Sequence, residues 1–205
     1  MVQVPGLADE LLEELQPYLL DDGIDLRTAS FDDVEALNAA LGRALERRNA
    51  DLFVPSASQR AYALTVFRLV TEALHDRQRE LAQAIVWGVP PQSKEPEVAT
   101  VAHVIGVGLE LVDTWVADQA MRDRVFALRV APWNRAAHAA TNGILEAADT
   151  PLGAKAHVGA LIAEHGGLAL LEGVAIAVSG VIHADARFRK RPIADSLAVL
   201  LPVEN

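Results

Sequence analysis

Apolar residues recur along this chain at the spacing of an α-helix. At about 100° per residue, Ala63, Phe67, Val70, Leu81 and Ile85 all fall within about 40° of Leu74 and form one stripe, which is expected to face the core. Strict alternation of apolar and polar residues, which is typical of half-buried strands, is hard to find over five or more positions. Alanine, leucine, glutamate and arginine dominate, and all four favour helices. The pattern therefore predicts an all-α protein.

Turn and capping residues divide the chain into about seven helices. Ser30 is the expected N-cap of the second helix, Pro17 is expected to end or bend the first, and the run Gly88-Val89-Pro90-Pro91 ends the third. The predicted helices cover residues 7–20, 31–49, 55–87, 96–130, 134–148, 150–167 and 168–187, with a short apolar turn or helix over 197–201.

The third and fourth predicted helices are long and closely connected. Each spans about 30 residues, and the residues between them, 88–95, are too few for anything but a tight return. They are therefore expected to form a long antiparallel hairpin. Because the chain has no internal repeat and no linker-like segment, we expect one domain over residues 1–205, a bundle of six to eight helices with a central apolar helix.

The central helix is the seventh. Residues 167–184 are apolar on all sides and carry one charge, Glu172. Such a helix either lies inside a bundle or crosses a membrane. Eighteen residues are at the short limit for crossing, and Glu172, Ser179 and His183 make crossing costlier. We therefore favour the buried position over the membrane-embedded one.

A stripe of small residues runs along the same helix. Ala169, Gly173, Ala177 and Gly180 follow one another at helical steps, which allows another backbone to approach closely. The stripe predicts a packing seam, either within the chain or between protomers.

Charge and cysteine content limit the classes of function. The chain has 205 residues, a net charge of −10 and no cysteine. An acidic chain without a basic stripe is a poor nucleic-acid binder, because phosphate contacts supply most of that affinity. The lack of cysteine excludes disulfides, thiolate metal sites and cysteine nucleophiles. With no signal-peptide pattern at the N-terminus, these features favour a soluble, cytoplasmic protein with no membrane partner.

One basic cluster stands out from this acidic background. Arg187, Arg189, Lys190 and Arg191 follow the apolar helix directly. Cations at a helix C-terminus complement the macrodipole, which explains the cluster without a ligand. Anion binding is the less favoured alternative.

The motif Glu72-x-x-His75 is typical of di-metal helical bundles, but the chain holds a single copy. The hairpin is expected to bring Glu110 and Asp113 level with it. However, His75 lies about 100° and Glu72 about 160° from Leu74, on the side of Arg68, where charged residues form a solvated face. We therefore expect no metal site and no cofactor.

Five polar residues remain as candidates for ligand binding. Glu110 and Asp113 lie opposite the main apolar stripe of the fourth helix, with His103 near them, and Glu172 and His183 interrupt the apolar helix. A buried carboxylate must be paired or protonated, so Glu172 is expected to meet an arginine, a histidine or backbone donors of another helix. No residue is assigned a catalytic role.

No catalytic or nucleotide-binding spacing is present. Val178-Ser179-Gly180 lacks the elbow of serine hydrolases, and Gly106-x-Gly108 has no third glycine in register. We therefore expect a non-catalytic helical protein that acts through self-association, as a homo-oligomer, or through partner binding. The alternative is a helical-bundle enzyme or small-ligand carrier whose site is assembled from isolated polar residues on separate helices.

Overall fold

The computed structural model describes residues 7–25, 34–126 and 133–202, and all regular structure in these ranges is helical. The prediction of an all-α protein is confirmed. In chain order the helices of the described ranges are α1 (Leu7–Asp21), α2 (Val34–Asp51), α3 (Ala57–His75), α4 (Arg79–Trp87), α5 (Val101–Ala117), α6 (Gln119–Phe126), α7 (Arg135–Ala148), α8 (Gly153–Ala156), α9 (Val158–His165), α10 (Gly167–Arg189) and α11 (Ile193–Leu200).

The chain divides into two compact units, residues 1–52 and 53–205. In the first, Leu15 and Leu19 of α1 form a small core with Ala40 and Ala44 of α2. Pro17 lies inside α1 rather than ending it. The predicted cap Ser30 and the predicted start of the second helix lie outside the described residues. The expectation of one domain over residues 1–205 stays a prediction.

The second unit is built around α10. Every residue from 170 to 182 is buried, and α10 contacts α3, α4, α5, α6, α7, α9 and α11. The prediction of a central apolar helix is therefore confirmed. Within the described ranges, α10 is the one helix long and apolar enough to cross a membrane, and 72% of its apolar window is buried inside the protein.

The seam of small residues lies within this unit. Gly173 packs directly against α7, where an added Cβ would stand 2.9 Å from the Ala140 Cβ and 2.9 Å from the Thr141 backbone nitrogen. The Thr141 hydroxyl, which donates to the Ala137 carbonyl at 2.8 Å, also lies 3.3 Å from the Gly173 carbonyl. Of the two alternatives left open by the sequence, the structure shows at Gly173 a seam inside the chain.

The two long predicted helices are each interrupted. The third starts as expected, with a capping box between Ser56 and Gln59, but stops at His75 and resumes at Arg79 as α4. Arg77 adopts a φ of 61°, in the left-handed region, and this turns the chain. The sixth predicted helix is likewise split, into α8 and α9, and starts at Gly153 rather than at Thr150.

The fourth predicted helix begins at Val101, because Thr100 and His103 form a capping box there, rather than at Pro96. It breaks at Asp118, whose carboxylate accepts the Ala120 N–H at 2.8 Å and so caps α6. Two long uninterrupted helices therefore do not form, which raises the number of helices above the expected six to eight.

The expected alignment of the two arms is also wrong. Gly108 of α5 packs against Phe67 of α3, and Glu110 meets Arg60. Glu110 is therefore not level with Glu72, which lies twelve residues beyond Arg60. Glu72 and His75 are exposed, as the direction of their side chains from Leu74 predicts.

Candidate functional site

Glu110 and Asp113 both fasten α8 to α5. Glu110 accepts hydrogen bonds from Arg60 at 2.7 Å and from Lys155 at 2.8 Å, one on each carboxylate oxygen. Burial alone would raise the pKa of Glu110, but the hydrogen bonds from Lys155 and Arg60 outweigh it and hold the pKa below its usual value. Asp113 accepts the backbone N–H groups of Ala154 at 2.6 Å and Lys155 at 2.9 Å. Both carboxylates are thus engaged by the protein itself.

His103 has a local role at the start of α5. Its Nδ1 accepts the backbone N–H of Thr100 at 3.1 Å, completing the capping box. Burial lowers the pKa of His103, which favours the neutral ring that this hydrogen bond requires.

Glu172 is buried, as predicted, with 3% of its surface exposed. Its partners are not those expected. Oε1 accepts the indole N–H of Trp87 and Oε2 accepts the side-chain amide of Asn134, each at 2.8 Å. The expectation of an arginine, a histidine or backbone donors is therefore wrong: two neutral side-chain donors satisfy the carboxylate.

His183 is half-buried on the opposite end of α10. Its Nδ1–H donates to the Ser179 carbonyl at 2.8 Å, and its ring centroid lies 6.0 Å from that of His75. Burial lowers the pKa of His183, and the neighbouring His75 and Arg187 lower it further, against the raising effect of the Ser179 carbonyl. Within the described ranges no group of three or more His, Asp or Glu side chains is arranged to hold a metal ion.

The five candidates therefore do not converge on one site. Glu110 and Asp113 share α8, whereas His103, Glu172 and His183 each have separate partners. The hydrogen bonds of these five side chains either cap a helix, connect two helices or lie within one helix.

A cluster that sequence reasoning missed surrounds Asp185 at the end of α10. The Asp185 side chain is fully buried and accepts hydrogen bonds from Arg189 at 2.9 Å, Arg191 at 2.5 Å and Ser196 at 2.8 Å. Arg124 of α6 approaches it at 3.1 Å. Burial would raise the pKa of Asp185, but these donors, Ser196 and Arg191 foremost, outweigh it and hold the pKa below its usual value. The i,i+4 spacing of Asp185 and Arg189 was the available signal.

An exposed apolar surface lies where α4 meets the start of α10. Trp87 is 57% exposed and Leu168 is 58% exposed. Trp87 is bonded to Glu172, one helical turn beyond Leu168, so the two apolar side chains belong to the same region. We call the exposed side chains of Leu81, Ala84, Trp87 and Leu168 the Trp87 surface. The expectation that Leu81 faces the core is wrong: it is 48% exposed, because the break between α3 and α4 interrupts the helical register on which that expectation depends.

This surface has two unusual properties. Its four side chains lie in residues 81–93 and 166–171, two stretches that carry no charge in a chain whose net charge is −10. The exposed indole is also fixed in direction, because its N–H is held by the buried Glu172 carboxylate. By contrast, Trp115 and Trp133 are each only 6% exposed.

The chain matches no protein-family model, and no curated protein and no solved structure is detectably similar to it.

Proposed function

We propose that this is a non-catalytic helical protein that acts by self-association, with a second copy covering the Trp87 surface. The observation that carries the proposal is the exposed tryptophan whose orientation is fixed by Glu172. Rigid aromatic anchors lose little side-chain entropy on binding and are enriched among the residues that dominate interface energies.

Charge favours a second copy as the partner. Two chains of net charge −10 repel one another wherever acidic faces meet. The uncharged stretches 81–93 and 166–171 avoid that repulsion, and a two-fold arrangement would place each Trp87 surface on its own counterpart.

The polar residues support the same proposal. Each of the candidates His103, Glu110, Asp113, Glu172 and His183 is committed to a cap, an ion pair or a hydrogen bond within the chain. We also infer a soluble, cytoplasmic protein with no nucleic-acid partner, which is consistent with the acidic charge, the lack of cysteine and the burial of α10.

Leu168→Glu is expected to convert the wild-type dimer into a monomer. The new carboxylate would have to be desolvated at the centre of the contact. Because position 168 is in the first turn of α10, an acid there complements the helix dipole, and the variant should fold. Size-exclusion chromatography with light scattering should give a mass near twice the 22.0 kDa of one chain for the wild type and near 22.0 kDa for the variant.

Leu152→Glu is the matched control. Leu152 is 74% exposed but lies outside the Trp87 surface, so the same substitution should leave the mass unchanged. A monomeric wild type, or equal dissociation by both variants, would contradict self-association through this surface.

One observation supports the alternative function, that of an enzyme or small-ligand carrier. A cavity of about 360 Å³ lies beside Arg124 and Phe188.

A further inference from the structure

The end of α10 gathers more positive charge than its buried acid neutralises. Asp185 is surrounded by three guanidinium groups, those of Arg124, Arg189 and Arg191, and by the Ser196 hydroxyl. A carboxylate offers about four acceptor positions, and hydrogen bonds from Arg189, Arg191 and Ser196 occupy three of them. One negative charge against three positive charges leaves an excess of two.

Arg124 is the member of this group with unmet hydrogen-bonding capacity. It is 7% exposed, and its Nη1 contacts the Met121 sulfur at 2.6 Å and the Asp185 carboxylate at 3.1 Å. Its Nε is buried and has no hydrogen-bond partner among the described residues. A buried charged donor without an acceptor is costly, and an anion bound beside the guanidinium would reduce that cost.

A cavity adjoins this side chain. Its volume is about 360 Å³, at the small end of the range of about 300–1,000 Å³ that ligand pockets occupy. The Phe188 ring lies 4.4 Å from the Arg124 Cζ and is 70% exposed. Among the described residues, its lining consists of Ala120, Asp123, Arg124, Ala184, Arg187 and Phe188.

We propose that this cavity binds a small organic anion, a carboxylate or phosphate headgroup joined to an aromatic or aliphatic body. Arg124 and Arg187 hold the headgroup, while Ala120, Ala184 and Phe188 contact the body. The helix macrodipole explains basic residues at the end of α10, but not a buried arginine supplied by α6 nor a cavity beside it. The site does not depend on self-association.

Isothermal titration calorimetry tests the proposal with simple probes. Benzoate and phenyl phosphate each combine an anionic headgroup with an apolar body, so at least one should bind saturably at one site per chain. The ratio of their dissociation constants shows whether the site prefers a carboxylate or a phosphate. Benzamide, which keeps the shape of benzoate without its charge, and inorganic phosphate, which lacks the body, should each bind at least about tenfold more weakly than the better probe. Equal binding of benzoate and benzamide, or no saturable binding of either anion, would overturn the site.

Three charge variants locate the bound anion. Arg187→Gln should weaken binding by about tenfold, and Asp123→Asn should strengthen it, because both side chains line the cavity. Lys190→Gln removes the same charge as Arg187→Gln from the same helix end but outside the lining, and should change affinity by less than about twofold. All three residues are exposed, so the fold should tolerate the substitutions. Equal losses from the Arg187 and Lys190 variants would show general electrostatic attraction instead of a site.

Discussion

Gly173→Leu is expected to reduce the free energy of unfolding by about 1–3 kcal/mol, and so to lower the melting temperature by about 3–10 °C. Even a single Cβ at this position would stand 2.9 Å from the Thr141 backbone nitrogen, which cannot give way as the end of a flexible side chain can. The longer leucine must therefore push α7 away from α10 along the seam. Thermal unfolding followed by circular dichroism measures the change.

Glu72→Ala is the control for this prediction. Glu72 is on the exposed face of α3, so its replacement should alter the free energy of unfolding by no more than about 0.5 kcal/mol. Equal, small effects of the two substitutions would mean that α7 and α10 are not closely packed at Gly173.

Asp185→Asn is expected to have a larger effect than Gly173→Leu and to reduce the free energy of unfolding by about 3–5 kcal/mol. The wild-type carboxylate is fully buried and offsets one of the three positive charges of Arg124, Arg189 and Arg191. The neutral amide removes this counter-charge from the three cations, one of which, Arg124, has a side chain only 8% exposed. Urea denaturation at neutral pH measures the free energy of unfolding of the wild type and the variant. As a control, Asp195→Asn on the exposed face of α11 should change this free energy little.

The difference in free energy of unfolding between wild type and Asp185→Asn should depend on pH, because the pKa of Asp185 is lowered in the folded protein. A carboxyl group whose pKa is lower in the folded state contributes stability that is present above its unfolded pKa, about 3.9, and is lost as pH falls through its folded pKa. The stability gap between wild type and Asp185→Asn should therefore be constant near neutral pH and close below about pH 4. A gap that persists unchanged into strong acid would show that the aspartate charge does not stabilise the fold.

Helical periodicity was sufficient to predict the fold class and the central helix. Residues 170–182 are apolar on all sides, and only burial inside a bundle or a membrane satisfies such a helix. The breaks at Arg77 and Asp118 carried no comparable signal, because neither position has a proline or glycine beside it. The caps that use Asp118 and His103 were also ambiguous in sequence, since both residue types are common on exposed helix faces.

The site residues were predictable only in part. The lone charge of the apolar helix identified Glu172 as a buried group that needs partners, but its donors, Trp87 and Asn134, come from distant parts of the chain. Spacing along one helix does not indicate which remote neutral side chain will reach a carboxylate. Asp185 was missed for the same reason, since its burial depends on Arg124 of α6 and Ser196 of α11 as well as on its own helix.

The most direct test of the proposed self-association is acrylamide quenching of tryptophan fluorescence across a range of protein concentrations. Of the three tryptophans, Trp87 is 57% exposed, whereas Trp115 and Trp133 are each 6% exposed. If a second copy covers the Trp87 surface, the readily quenched fraction of the emission should fall as concentration rises, and Leu168→Glu should keep it high throughout. A readily quenched fraction that stays the same at every concentration would contradict the proposal.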